Sequence, residues 1–224
     1  MSQIPGPATS RWWTVAAAVE VVLAAVAVVA DVLIPTFVLL AMAGASLAAR
    51  RQGPGSLGLR RPRGGVGRTA AQAFGLTVGW TVVQLALFMP VLEHLTGRRQ
   101  DLSDFDTIHG NLPMLLVYLG LSWTLAAVGE EVAYRGYLLT RLREVLPPGT
   151  VGVALAVAGS SVLFGLAHTE QGVIGIALTT LDAIFFCWLR YRFASLWACV
   201  LAHGFNNTIG LIAYYLVGPV YGLW

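Results

Sequence analysis

Lysine is missing from all 224 residues, charged side chains make up only 11% of them, and just two cysteines occur. All positive charge therefore sits on 14 arginines, which give a formal net charge of +3 and are separated by apolar runs. Such a chain has no continuous basic face for DNA or RNA, and nucleic-acid partners are excluded. Cys187 and Cys199 lie in apolar stretches at a spacing that matches no zinc motif and gives no disulfide framework, so they read as small apolar residues. What the sequence has in excess is hydrophobicity, at 57%, well above a soluble domain.

A bilayer core asks for about 20 apolar residues per helix, and that length recurs. The pattern predicts an all-α polytopic membrane bundle of seven to eight helices, a single integral membrane domain over 1–224. Seven spans are expected near residues 12–30, 32–49, 69–92, 112–134, 150–169, 172–189 and 195–217. An eighth arises if Leu57–Arg68 or the Arg141 segment forms a further membrane helix. The arginine-rich loop Arg50–Arg68 marks the cytoplasmic side. Alternation then places the amino terminus, Arg135, Arg141, Arg143, Arg190 and Arg192 inside, and Asp31, Asp101, Asp104, Asp106 and Glu170 outside. The tryptophans, among them Trp12, Trp13 and Trp197, are expected to anchor helix ends at the interface.

An ionisable group in hydrocarbon costs at least ~2.5 to 3.5 kcal/mol and asks for a partner or a function. Glu130, Glu131, Arg135, His168, His203 and Asn207 stand out. Pro147-Pro148-Gly149 must break any helix, so the helices carrying Glu130 and His168 form an antiparallel hairpin whose turn, with Arg141, Arg143 and Glu144, projects beyond the membrane. Measured from that turn, Glu130 lies about 24 Å and His168 about 27 Å along their helices, and His203 lies about 12 Å into the last span. All three are expected at one depth, near mid-membrane.

Residues four apart share a helix face. Glu131 is expected to pair with Arg135, leaving Glu130, turned about 100° away, to face another neighbour. His203 and Asn207 project together, and Phe164 lies on the face of His168. Glu20, Asp31 and Asp182 lack a motif, although Asp182 is a candidate to line the same cavity. His94 and His109 are expected to be solvated. A buried carboxylate beside an imidazole is suited to activating water, which makes Glu130 the base. A second imidazole and an amide, His203 and Asn207, suit an oxyanion. No Ser or Cys sits in a nucleophile motif, so direct attack by water is favoured over an acyl-enzyme.

Three patterns occur in order: Glu130-Glu131-Val132-Ala133-Tyr134-Arg135 as EExxxR, Phe164-Gly165-Leu166-Ala167-His168 as FxxxH, and His203-Gly204-Phe205-Asn206-Asn207 as HxxxN. Together with Arg135-Gly136-Tyr137-Leu138 and Ser195-Leu196-Trp197, the stretch 112–208 resembles the CPBP family of intramembrane glutamic endopeptidases, the type II CAAX prenyl proteases and their bacterial relatives called Abi proteins. The resemblance implies a peptide-bond hydrolase acting on a membrane-associated peptide or protein without metal or cofactor. It implies that Glu130 and His168 activate water, that His203 and Asn207 form the oxyanion hole, and that Glu131 and Arg135 support them. Bacterial relatives are linked to peptide maturation, self-immunity and peptide signalling, and the all-Arg, Ala/Val/Gly-rich composition suits the plasma membrane of a GC-rich bacterium.

Each group alone also has a bland explanation. Glu130, Glu131 and Arg135 can form an interfacial charge cluster with snorkelling side chains, and His168 or the His203/Asn207 pair can be interhelical hydrogen-bonders. Their convergence at one depth favours a shared site. Two other functions stay open: a zinc-dependent protease using the same histidines and carboxylate, though without HExxH, and a non-catalytic immunity or transport protein in which Glu130 and His168 relay protons.

Overall fold

The computed structural model describes residues 11–223, and residues 1–10 and Trp224 lie outside that range. Seven long helices form the bundle, with no strand among the described residues. They are α1 Arg11–Val29, α2 Pro35–Ala49, α3 Val66–Thr96, α4 Leu112–Val145, α5 Thr150–Leu166, α6 Gly172–Phe193 and α7 Leu196–Val217. Five of them are long and apolar enough to cross a membrane, whereas α2 and α5 have 15 and 17 residues. Val15, Val19, Val22 and Val26 lie on the outer face of α1, as an integral membrane protein with a lipid-facing surface requires.

Local chemistry sets the breaks. Pro35 occupies the first turn of α2, where its missing N–H is no loss. Pro147-Pro148-Gly149 separates α4 from α5, with Gly149 at φ 89°. Ala194 turns left-handed after α6, and Ser195 then caps α7 by accepting from the Trp197 N–H at 3.3 Å. Within α3 the backbone widens to i→i+5 bonding over Gln84–Phe88, just before Pro90, which accommodates a residue that cannot donate.

The buried centre gathers Leu39 of α2, Tyr134, Tyr137 and Leu138 of α4, Phe164 of α5 and Ala183 of α6. Leu57 joins them, because Leu57–Arg68 is not an extra membrane helix. A single 3₁₀ turn, Pro54–Leu57, folds the segment back against the bundle. Gly58 O accepts from the Leu196 N–H at 2.8 Å, and Arg60 O accepts from Ser195 Oγ at 2.6 Å. Satisfying the start of α7 wins over forming a helix in a Gly/Pro-rich stretch.

The α4–α5 turn also differs from the expectation of a projecting, solvated end. Arg141 and Glu144 are buried in an ionic cluster with Glu20 and Arg50. Arg50 reaches Glu20 at 3.1 Å and Glu144 at 3.0 Å, Arg141 reaches Glu20 at 3.0 Å and also pairs with Glu144, and Ser46 Oγ donates to both Glu20 oxygens at 2.8 and 3.0 Å. Two arginines against two glutamates make this cluster formally neutral, which is the condition for keeping charge out of water. It ties α1, α2 and α4 together at the end of the bundle that carries Arg50.

Not every tryptophan is an interfacial anchor. Trp80 donates to Asp182 at 2.6 Å and stacks on Phe185 at 5.0 Å, while Trp123 donates to Thr208 at 3.1 Å. An indole N–H in the bundle needs an acceptor, and Asp182 and Thr208 supply it. Asp182 is thus held by α3 as well as carried by α6.

Candidate functional site

The EExxxR stretch lies in an unusual backbone. From Ser122 to Leu138 α4 is wound as a π-helix of 17 residues, closing with the Leu139 N–H on Tyr134 O. π-turns are found mostly as single bulges, often at functional sites. With more residues per turn, successive side chains diverge by less than the 100° of an α-helix. Glu130 and Glu131 do not face different neighbours: they approach opposite nitrogens of one imidazole, that of His203. Nδ1 of His203 donates to Glu131 Oε1 at 2.9 Å, and Nε2 stands 3.9 Å from Glu130 Oε2.

Glu131 is fully buried, and the same Oε1 lies 3.1 Å from Arg135 Nη1. The Arg135 guanidinium sits 3.9 Å over the ring of Phe164 and 5.3 Å from that of Phe186. Between two aromatic faces it is stabilised as a cation without water. Phe186 also stacks on His203, with centroids 5.1 Å apart at 17°. Glu131, Arg135 and two rings therefore fix the second imidazole from three sides.

Phe164 is the hub of the arrangement. Its ring contacts Tyr134 at 5.1 Å, His168 at 4.7 Å and His203 at 6.1 Å. Its carbonyl oxygen, at the end of α5, accepts from Nδ1 of His168 at 2.8 Å. That bond fixes the tautomer and leaves Nε2 of His168 as the free nitrogen. Close approach of helices underlies this geometry. A Cβ on Gly165 would stand 2.0 Å from Thr180 Oγ1 of α6, and one on Gly204 would stand 2.4 Å from the Trp123 ring of α4.

Glu130 and His168 line one open cavity of about 330 Å³, together with Asp31, Thr36, Ala167 and Glu170. The α1–α2 and α5–α6 turns frame it. It opens towards the end of the bundle opposite the Arg50 cluster, where His168 follows the last turn of α5, while Glu130 lies about midway along α4, between Leu112 and Val145. Glu130 remains partly exposed there, at 20% of its side chain.

The residues singled out by sequence thus fall into three situations. Glu131 pairs with Arg135 and with His203, Glu130 approaches the other nitrogen of His203, and His168 reaches Glu130 through the shared cavity and His203 through the ring of Phe164. Asn207 is half-buried one turn beyond His203, and the hydrogen bonds of His203 and His168 go to other groups. Asp182 faces Trp80 and not the cavity. Sequence spacing did not reveal the contact of Glu131 with His203, nor Asp31, Thr36 and Glu170 as cavity residues. The i,i+4 recurrence of Thr77 and Thr81, beside Trp80 and Gln84, was the available sign that α3 turns a polar face inward: Thr81 Oγ1 donates to Asn206 Oδ1 at 3.2 Å. Among the described residues no group of three or more His, Cys, Asp or Glu is arranged to hold a metal ion.

Fold and site together define a polytopic helical membrane protein with a carboxylate–imidazole centre inside its bundle. Residues 112–209, which carry all three motifs, match the family model described as type II CAAX prenyl endopeptidase Rce1-like. That segment, a little under half of the chain, is similar to CAAX-type membrane proteases. No curated protein and no solved structure matches the chain at a significant level.

Proposed function

We propose that the protein is an intramembrane endopeptidase in which Glu130 and His168 activate a water molecule against a peptide bond of a membrane-delivered substrate. The observation that carries this is the pairing at the cavity floor: a partly exposed carboxylate, 3.9 Å from one imidazole and sharing its cavity with another. A gap of that size is too long for a hydrogen bond. Glu130 is therefore free to hold a water on the cavity side that it shares with His168.

As the water oxygen attacks the carbonyl carbon, Glu130 takes one of its protons, with Nε2 of His168 as the second acceptor. The carbonyl π pair moves onto oxygen. His203 acts as an imidazolium, with its Nδ1–H on Glu131 and its Nε2–H directed at the developing oxyanion, and the Asn207 amide on the same helix face joins it. When the tetrahedral species collapses, the C–N bond breaks and the proton on Glu130 passes to the leaving amine. Glu131 and Arg135 touch no substrate in this scheme and hold His203 in place. Residues 1–224 act as one membrane domain, with 112–208 as its catalytic core and the amino terminus on the cytoplasmic side of a bacterial plasma membrane.

The test is cleavage of membrane-reconstituted peptide libraries, read by mass spectrometry, with Glu130→Gln and His168→Ala as variants. Both variants are expected to lose turnover while keeping the melting profile of the parent, and chelators are expected to leave turnover unchanged. Full activity in Glu130→Gln would remove the mechanism. Loss of activity in chelator, restored by zinc, would replace it with a metal-dependent one.

A further inference from the structure

We propose that the seam between α3 and α6, at the end of the bundle that carries Arg50, holds one anionic phospholipid, with its phosphate on Arg192 and one acyl chain laid along α3 over Gly75. The proposal is independent of the peptidase reading.

A cavity of about 400 Å³ opens on this seam, lined by Gln72, Gly75 and Leu76 of α3 and by Trp188, Arg192 and Phe193 of α6. Both helices are long and apolar enough to cross a membrane, and Leu76 and Trp188 are exposed, so the cavity lies on the lipid-facing surface. Its groups are layered as a phospholipid is. Arg192 stands in the last turn of α6 and Gln72 near the start of the antiparallel α3, whereas Trp188 and the Gly75-Leu76 pair lie one turn deeper in their helices. Gly79 follows one turn deeper still, and a Cβ on Gly75 or Gly79 would meet nothing within 4 Å. The two glycines leave a bare strip of helix where an alkyl chain gains contacts that no side chain of the protein makes. The aromatic wall is fixed in advance: Trp188 stacks on Phe185 at 6.0 Å, and Phe185 on Trp80 at 5.0 Å.

Charge decides which lipid fits. Among the described residues Glu20 and Glu144 are the acids at this end of the bundle, and Arg50 and Arg141 neutralise both. Arg192 has no ion pair among the described residues, and its guanidinium lies 5.5 Å from the ring of Phe193. Arg190, two positions earlier and buried, donates to the Thr140 hydroxyl at 3.3 Å and has no ion pair there either. An anion at this seam therefore has to come from outside the chain. A basic pocket between membrane helices at headgroup depth takes a phosphate, and the guanidinium of Arg192 and the amide of Gln72 are both donors to it. A zwitterionic headgroup brings an ammonium to the same arginines and is disfavoured.

The test uses the full chain in zwitterionic detergent with phosphatidylglycerol or phosphatidylcholine of the same acyl chains. The dissociation constant of the first bound lipid is read by native mass spectrometry for wild type, Arg192→Gln and Gly75→Leu. Wild type is expected to hold phosphatidylglycerol at least about fivefold tighter than phosphatidylcholine, the weight of one arginine at an anionic surface. Arg192→Gln brings the two lipids to within about twofold of each other. Gly75→Leu, which has room to fold because nothing lies against that position, weakens both lipids alike by filling the chain's place. Glycerol phosphate at the concentration of the lipid leaves the bound phospholipid where it is. Equal binding of the two lipids by wild type overturns the proposal, as does a preference that survives Arg192→Gln, or unchanged binding in Gly75→Leu, in protein whose circular dichroism matches wild type. Displacement of the lipid by glycerol phosphate gives the site to a soluble anion and overturns it as well.

Discussion

Two polar clusters in the bundle are built on opposite terms. At one end Glu20, Arg50, Arg141 and Glu144 close on one another, charge for charge, within helices α1, α2 and α4. Midway along α4, Glu131 and Arg135 are closed in the same manner, but Glu130 and His168 are left facing a cavity that opens towards the other end. The first arrangement spends its hydrogen-bonding capacity on structure. The second leaves two groups at a cavity, and those are the two that the proposed mechanism uses. α2 links them, with Thr36 at the cavity and Ser46 in the ionic cluster, roughly 15 Å apart along the helix at 1.5 Å per residue.

Substitutions that separate activity from stability test this contrast. The largest effect is expected for Glu130→Gln, whose turnover falls by about 10²- to 10⁴-fold, the usual weight of general base catalysis, with unchanged thermal unfolding. Arg135→Met strands the fully buried Glu131 and is expected to destabilise by about 3–5 kcal/mol, measured by denaturation in detergent, with loss of activity because His203 loses its support. Arg141→Met at the closed end should cost less, about 3 kcal/mol, since Arg50 still contacts both Glu20 and Glu144. Its turnover per folded molecule should be that of wild type. If Arg141→Met abolishes turnover in folded protein, the two clusters are not separable as described.

The smallest effect belongs to the loop beyond α3. Asp101 is held below the ordinary carboxylate range by the hydroxyl and backbone N–H of Ser103, at 2.6 and 3.0 Å. A lowered folded value means stability that is present at neutral pH and lost as acid protonates the carboxylate. Ser103→Ala should make that loss begin at slightly higher pH, seen as a small shift in melting temperature against pH on the acid side only.

The helices were legible because a bilayer imposes a length that twenty apolar residues announce, and the prolines at 35 and 147–148 mark real breaks. The Glu131–Arg135 contact follows from spacing alone. What spacing misjudged depended on distant partners. Glu130 and Glu131 meet the two nitrogens of one histidine carried by α7, a partner that spacing within α4 cannot foresee. Glu20 looked unattached because its arginines stand 30 and 121 positions away, and Arg141 looked solvated for the same reason. Asp31 and Glu170 come together only because two helix turns, at either end of the fold's sequence, frame one opening.

The central claim is that a water held by Glu130, and no side-chain nucleophile, attacks the peptide bond. Single-turnover cleavage of a reconstituted peptide in the presence of hydroxylamine tests it most directly, with the products weighed by mass spectrometry. The account predicts a free carboxylate on the new carboxyl terminus, no hydroxamate, and no product from Glu130→Gln. A hydroxamate product, or equal cleavage by Glu130→Gln, would contradict it.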